Sequence, residues 1–137
     1  MFNRRMRGAN AYSQVNLETA VQSADPHQLI LMLYDGALLS LAEATVAIEQ
    51  KDVPKRAKSI SRAIAIIQDG LHASLDVEAG GELAQRLAAL YDYMVERLTQ
   101  ANATNNAAAV QEVSGLLRTL REAWAEMPRQ QAAAVAG

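Results

Sequence analysis

The sequence has no cysteine, three prolines, seven glycines, and only one Phe, one Trp and four Tyr among 137 residues. Without cysteine there is no disulfide framework, no thiolate metal site and no cysteine nucleophile, which fits a reducing compartment. Aromatic side chains are 4% of the chain, too scarce for stacking platforms that hold single-stranded nucleic acid. Neither charge sign dominates: 13 basic residues against 15 acidic ones give a net charge of −2, which argues against nucleic acid as a partner. Long apolar runs are missing as well. The opening MFNRRMRGANAYSQ is basic but continues into polar residues, where a signal peptide needs about seven or more apolar ones. No stretch is read as reaching the ~18 consecutive apolar residues of a membrane span. The expectation is a soluble, cytoplasmic protein without membrane insertion, of a length that suits one domain.

What is present favours helices. Alanine is the commonest residue, and helix breakers are few. Asp25, Pro26 and Gln28 read as N-cap, first-turn proline and capping-box partner, so a long helix starts near residue 26. Asp52 and Pro54 mark a second start, Gly80-Gly81 break the chain before a third helix, and Thr104-Asn105-Asn106 cap a fourth that Pro128 ends. Four runs of about 22 to 25 residues, roughly 33 to 37 Å each, joined by short connections, predict antiparallel neighbours.

Heptad-like seams agree: Ile30, Leu33, Ala37, Leu41, Ala44 and Ile48; Val53, Ala57, Ile60, Ile64, Ile67 and Leu71; Leu83, Leu87, Leu90, Met94 and Leu98; Val110, Val113, Leu117, Leu120, Trp124 and Met127. The fold class expected is all-α, an antiparallel up-down four-helix bundle over 25–127. A short helical arm over 1–24, with a turn or two between Val15 and Ser23, precedes it. A mobile Ala-rich tail without amphipathic pattern, 128–137, follows it.

The helices carry more apolar surface than one seam uses. Opposite the seam of the first helix lie Leu31, Met32, Leu38, Leu39 and Val46, interrupted by Asp35 and Glu43. Beside the seam of the second, Ser59, Ala63, Ile66, Gly70 and Ala73 form a strip of small residues around one large one. On the third, Ala84, Ala88, Tyr91 and Val95 widen the apolar arc to about 160°, beyond the ~100° of a core stripe. Such breadth suits a partner helix in a groove, or cover by the N-terminal segment, and both readings stand at this point. Lys51, Lys55, Lys58 and Arg62 form a basic stripe, ordinarily a solvated face and otherwise a means of steering an acidic partner.

Catalytic chemistry is hard to assemble. Asp69 and His72 have a carboxylate-x-x-His spacing, but no core-facing Glu is available to complete a di-iron site. His72 as a phosphoryl acceptor is flanked by Asp69 and Asp76 with no nearby cation, so a solvated surface histidine is preferred. Ala79-Gly80-Gly81 lacks the flanks of a phosphate cradle. The reading is a binding protein and not an enzyme, with no cofactor and no metal. The alternatives are a histidine phosphotransfer bundle and a generic helical adaptor.

The segments AYSQV (11–15), ETAVQSADPHQLILMLYDGAL (18–38), AIAIIQDGL (63–71), GGELAQRLAALYDYMVERL (80–98) and LREAWAEM (120–127) resemble the flagellin-specific export chaperones, the FliS family. The resemblance spans residues 11 to 127. It implies a cytoplasmic four-helix chaperone that binds the disordered C-terminal segment of flagellin, blocks premature polymerisation and hands the subunit to the flagellar type III export apparatus. The groove for flagellin is expected on the second faces, at Ala63, Ile66, Gly70, Ala84, Ala88, Tyr91, Val95 and Leu116. Docking on the export gate protein would use Tyr12, with Val15 beside it, whereas a plainer reading makes Tyr12 a staple for the arm. Ile66→Asp and Tyr91→Asp are expected to weaken binding while sparing helicity. A co-chaperone or regulatory protein is a further expected partner.

Overall fold

The computed structural model describes residues 25–136, so the arm with Tyr12 and Val15 lies outside the described residues. The described chain is five helices: α1 (Pro26–Glu49), α2 (Val53–Ala65) running directly into a π-helical segment (Ile66–His72), α3 (Gly81–Thr104), α4 (Ala107–Glu126) and α5 (Arg129–Ala136). The starts follow the predicted caps. Asp25, Asp52 and Asn106 each accept a hydrogen bond from the backbone N–H three residues on, at 2.8, 3.1 and 3.2 Å.

The ends of α1 and α3 close with left-handed residues. After α1, Lys51 has φ 57°, its N–H donates to Ile48 C=O at 3.2 Å, and Asp52 N–H donates to Ala47 C=O at 2.9 Å. These paired bonds are a Schellman motif, built on lysine where glycine would be unstrained. Asn105 takes the same role after α3 with φ 56°, and Asn106 N–H donates to Ala101 C=O at 3.1 Å.

Cross-helix contacts fix the topology. His27 meets Trp124, Asp35 meets Arg121, and Gln111 donates to Thr45, so α1 and α4 run antiparallel. Glu43 with Arg62 joins α1 to α2, Arg56 with Asn102 joins α2 to α3, and Arg97 with Glu112 joins α3 to α4. The helices form a ring α1–α2–α3–α4 around one core, the expected antiparallel four-helix bundle. Leu41, Ile60, Ile67, Met94, Leu98, Val110, Val113 and Leu117 are fully buried, as their seams predict. The seams fray at their ends, however: Val53 is 53% and Leu83 40% exposed, because each sits in the first turn of its helix beyond the reach of a neighbour.

Three expectations are corrected. First, the run after Pro128 is not a patternless tail over its described length: α5 buries Ala132 and Val135, two small residues spaced i, i+3, a face too short to register as periodicity. Second, α2 does not stay α-helical; Ala73 N–H donates to Gln68 C=O, an i→i+5 bond, so residues beyond Ile66 are rotated away from a 100° projection. Third, α1 is long and apolar enough by length and composition to cross a membrane, with mean hydropathy 1.6. Two of its three carboxylates, Asp35 and Glu43, nevertheless pair with arginines of α4 and α2, as expected of the central helix of a folded bundle.

Gly80-Gly81 form more than a simple break. Gly81 is left-handed at φ +65°, which suits only glycine comfortably, and a Cβ on Gly80 would lie 2.6 Å from Asp76 O and 3.1 Å from Val135 O. The pair lets α3 start tightly against the preceding loop and against α5.

Candidate functional site

The residues expected to line one groove are distributed by the fold. Ala63, Ala84 and Tyr91 are closed into the core at 0, 0 and 2% exposure and present nothing to a partner. Ile66 packs toward α1, where a Cβ on Gly36 would meet its Cδ1 at 3.5 Å, and Gly70 lies under Leu33, whose Cδ2 comes within 2.9 Å of a Cβ there. The small residues therefore serve close approach of α1 to α2. Ala88 and Val95 on α3 and Leu116 on α4 are half-buried on other parts of the bundle. Outside the π-helical segment the projection gave the angle of each side chain but could not say which neighbour stands at that angle.

Tyr91 has a partner that periodicity did not reveal. Its hydroxyl shares a 2.5 Å hydrogen bond with that of Tyr34 across the bundle from α3 to α1, and both rings are buried. Burial drives both phenol pKa values above the ordinary 10.0, since a phenolate would be desolvated there. Tyr34 was not among the seam residues read from the sequence, although its spacing four residues after Ile30 is a core spacing; the pairing with Tyr91 had no sequence signal. Tyr91→Asp would consequently place a carboxylate in the core and test folding, not binding.

The outward faces carry the remaining apolar surface. On α1, Met32 is half-buried, Leu39 is 62% exposed and Val46 41%, and they follow one another at i, i+7, i+14. Leu31 and Leu38, expected on this face, are instead half-buried against the core. Asp35 and Glu43 flank the stripe, bonded to Arg121 at 2.5 Å on the α4 side and to Arg62 at 3.4 Å on the α2 side. The expected interruptions of the face are thus its borders. The Asp35 carboxylate raises the Arg121 pKa through its hydrogen bond. On the α3–α4 side Tyr93 is 41% exposed and donates to Glu112, which also accepts from Arg97 at 2.8 Å. The Tyr93 and Arg97 bonds hold the Glu112 carboxyl below its usual range, while the same Tyr93 bond raises the phenol.

The two histidines have structural partners. His27 Nε2 lies 2.6 Å from Trp124 C=O; because a carbonyl only accepts, that nitrogen carries the proton. Trp124 Nε1–H returns a bond to His27 C=O at 3.2 Å, and the rings stack at 6.0 Å. His72, expected as a solvated surface residue, is half-buried with Nε2 3.2 Å from Asp92 of α3. Its partner comes from another helix and not from Asp69 or Asp76, a relation that local spacing cannot express. Of the expected basic stripe, Lys55, Lys58 and Arg62 ride on α2, while Lys51 sits in the turn before it. Among the described residues no cluster of His, Asp and Glu could hold a metal.

The outward surface of α1 thus combines exposed apolar side chains with ion pairs along its borders. Comparison with known proteins gives the chain a lineage. The family described as "Flagellar protein FliS" matches residues 8–131. The chain is 52% identical over 120 residues to the flagellar secretion chaperone FliS of Salmonella typhimurium LT2, covering 88% of this chain and 89% of that one. It is 46% identical over 120 residues to that of Escherichia coli K12, covering 88% of each. With the flagellar secretion chaperone FliSB of Pseudomonas aeruginosa PAO1 the identity is 43% over 119 residues, 87% of this chain and 94% of the other. The chain belongs to the FliS family of flagellar secretion chaperones.

Proposed function

We propose that this chain is a cytoplasmic, ATP-independent export chaperone that binds the disordered C-terminal segment of flagellin, prevents its premature polymerisation and delivers it to the flagellar type III export apparatus. The observation that carries the proposal is family membership over nearly the whole chain, joined to outward apolar positions on α1 and α3. A segment that folds on binding typically buries about 1,000–3,000 Å², which a single narrow groove does not supply. The cargo surface proposed here consists of Leu39 and Val46 with the half-buried Ile66, Ala88, Val95 and Leu116, while Gly70 is covered by Leu33. Tyr12, with Val15, is proposed to dock the loaded chaperone on the export gate protein. A co-chaperone or regulator sharing the apolar faces would compete with cargo.

The test is isothermal titration of the protein with a synthetic C-terminal flagellin segment of about 40 residues from the same genome, against a scrambled peptide. The expected result is tight one-to-one binding with a large negative heat-capacity change. No heat and no mobility shift on gel filtration would refute the cargo assignment. Leu39→Asp replaces an exposed side chain, so it should weaken binding with helicity retained; undiminished affinity would remove α1 from the surface. Tyr12→Ala should keep flagellin binding and reduce export, and loss of both would place the arm in the cargo site.

A further inference from the structure

The apolar strip of α1 and the cations of α2 lie side by side. Leu33 packs on Gly70, Gly36 faces Ile66 and Glu43 bonds to Arg62, so each step toward the end of α1 is a step back along α2. Val46 is therefore level with Lys58, and Leu39 with Ala65. Lys55 and Lys58 precede Arg62 by seven and four residues, which puts them beside it on the flank of α2 that meets α1. Lys51, in the turn before α2, extends the row.

This positive charge has no counterpart in the bundle. α2, VPKRAKSISRAIA, holds Lys55, Arg56, Lys58 and Arg62 and no carboxylate, in a chain whose net charge is −2. Arg56 turns to α3, where it bonds to Asn102 C=O at 3.0 Å and to Asn105 at 2.8 Å. Arg62 reaches Glu43 at 3.4 Å, and Asp52 caps α2 by accepting from Lys55 N–H at 3.1 Å. Among the described residues Lys51, Lys55 and Lys58 have no ion-pair partner, and all three are exposed. The two ends of the chain are themselves cationic: residues 1–24 carry Arg4, Arg5 and Arg7 against Glu18, and residues 128–137 carry Arg129 and no acid.

We infer that the two rows form one docking track, Leu39 and Val46 its apolar side and Lys51, Lys55 and Lys58 its cationic side, and that the stretch of cargo seated on it is acidic. The inference rests on the chaperone reading above and adds the chemistry of the cargo to it. A segment covering Leu39 and Val46 runs along α1 between the Asp35–Arg121 border and the lysines. Asp or Glu on its α2 edge pairs with cations that otherwise have no partner, whereas Lys or Arg there meets like charge. Apolar contact then sets how long the complex lasts. The lysines raise the rate at which it forms, because exposed charges attract over a Debye length, about 10 Å at 0.1 M salt. Nucleic acid fits this track poorly, since Leu39 and Val46 are aliphatic and offer no ring for base stacking.

Stopped-flow association of the full chain with a fluorescently labelled C-terminal flagellin segment tests the track. Between about 0.05 and 0.5 M salt the association rate of the wild type should fall about 10-fold. Lys55→Glu with Lys58→Glu should slow association about 10-fold at low salt, flatten the salt dependence, change dissociation less than about 2-fold and leave helicity intact, since both side chains are exposed. Arg86→Glu, a reversal on α3 away from the track, should change the rate less than about 2-fold. A segment with its Asp and Glu replaced by Asn and Gln should associate slowly with the wild type and be indifferent to the lysine reversals. Equal rates for wild type and the double variant, equal slowing by Arg86→Glu, or undiminished association of the neutralised segment would overturn the track while the chaperone reading stands. No binding of the unmodified segment to the wild type would overturn both.

Discussion

The Tyr34–Tyr91 pair makes a prediction that separates pairing from packing. Each phenol is buried and the hydroxyls lie 2.5 Å apart, so removing one oxygen leaves the other without its partner. Leaving a buried hydroxyl unpaired costs about 1–3 kcal/mol, whereas replacing both partners by apolar groups of the same shape is nearly neutral. Tyr34→Phe and Tyr91→Phe should each lower stability by that amount, roughly 0.5–1.5 M in urea midpoint, and the double variant should cost no more than either single one. Additive losses in the double variant would refute the pairing argument.

The same pair sets the alkaline limb. Both folded pKa values are raised above 10.0, so the stability they confer is complete below that pH and is lost as pH rises beyond it, when the unfolded chain ionises and the folded one does not. With two phenols the slope reaches roughly 2.7 kcal/mol per pH unit. Tyr93 is shifted the same way by Glu112 but is common to all four proteins, so the difference between wild type and double variant isolates the buried pair. Urea titrations at pH 9, 10 and 11 should show the double variant losing less stability with pH; identical limbs would place ionisation elsewhere.

Other substitutions probe single features. Lys51→Gly relieves a left-handed residue in the α1–α2 turn and should stabilise by about 0.5–1 kcal/mol in thermal or urea unfolding; a loss would mean the lysine side chain has a role its backbone does not reveal. His27→Ala removes one hydrogen bond to Trp124 C=O, which Met127 N–H still satisfies at 3.1 Å, so the cost should be near 1 kcal/mol. Because Trp124 is the only tryptophan, loss of the stacked ring should also red-shift its emission. Asp35→Ala breaks an ion pair whose partners are 55 and 37% exposed, so unfolding should change by less than about 1 kcal/mol, and less still in high salt.

How far the sequence could be read depends on the range of the interaction concerned. Caps are local: Asp25, Asp52 and Asn106 act within three residues of themselves and were legible. Seams are periodic, so Leu41, Ile60 and Met94 were legible too. Tyr34 with Tyr91, Asp35 with Arg121 and His72 with Asp92 join residues 57, 86 and 20 positions apart, and no periodicity encodes such pairs. The candidate site suffered most, because a groove belongs to two helices at once. The angles of Ala63 and Tyr91 on their own helices placed them beside the seam, and only the neighbouring helices decided that this angle is interior.

That same logic accounts for the composition of α1. One flank meets α2 closely because Gly36 and Gly70 carry no side chain, and the other meets α4 through the His27–Trp124 and Asp35–Arg121 contacts. A helix with neighbours on two flanks and the core between them needs apolar residues over most of its circumference, which raises its hydropathy to the level of a membrane span. What neither neighbour covers is a narrow strip, Met32, Leu39 and Val46, bordered by the carboxylates of Asp35 and Glu43. Packing accounts for the rest of the helix but supplies no reason for Leu39, whose side chain is 62% exposed, to be apolar. Leu39→Gln should therefore leave the urea midpoint unchanged within about 0.5 kcal/mol of stability and reduce affinity for the flagellin segment. A clear loss of stability instead would mean that the strip is covered within the chain itself.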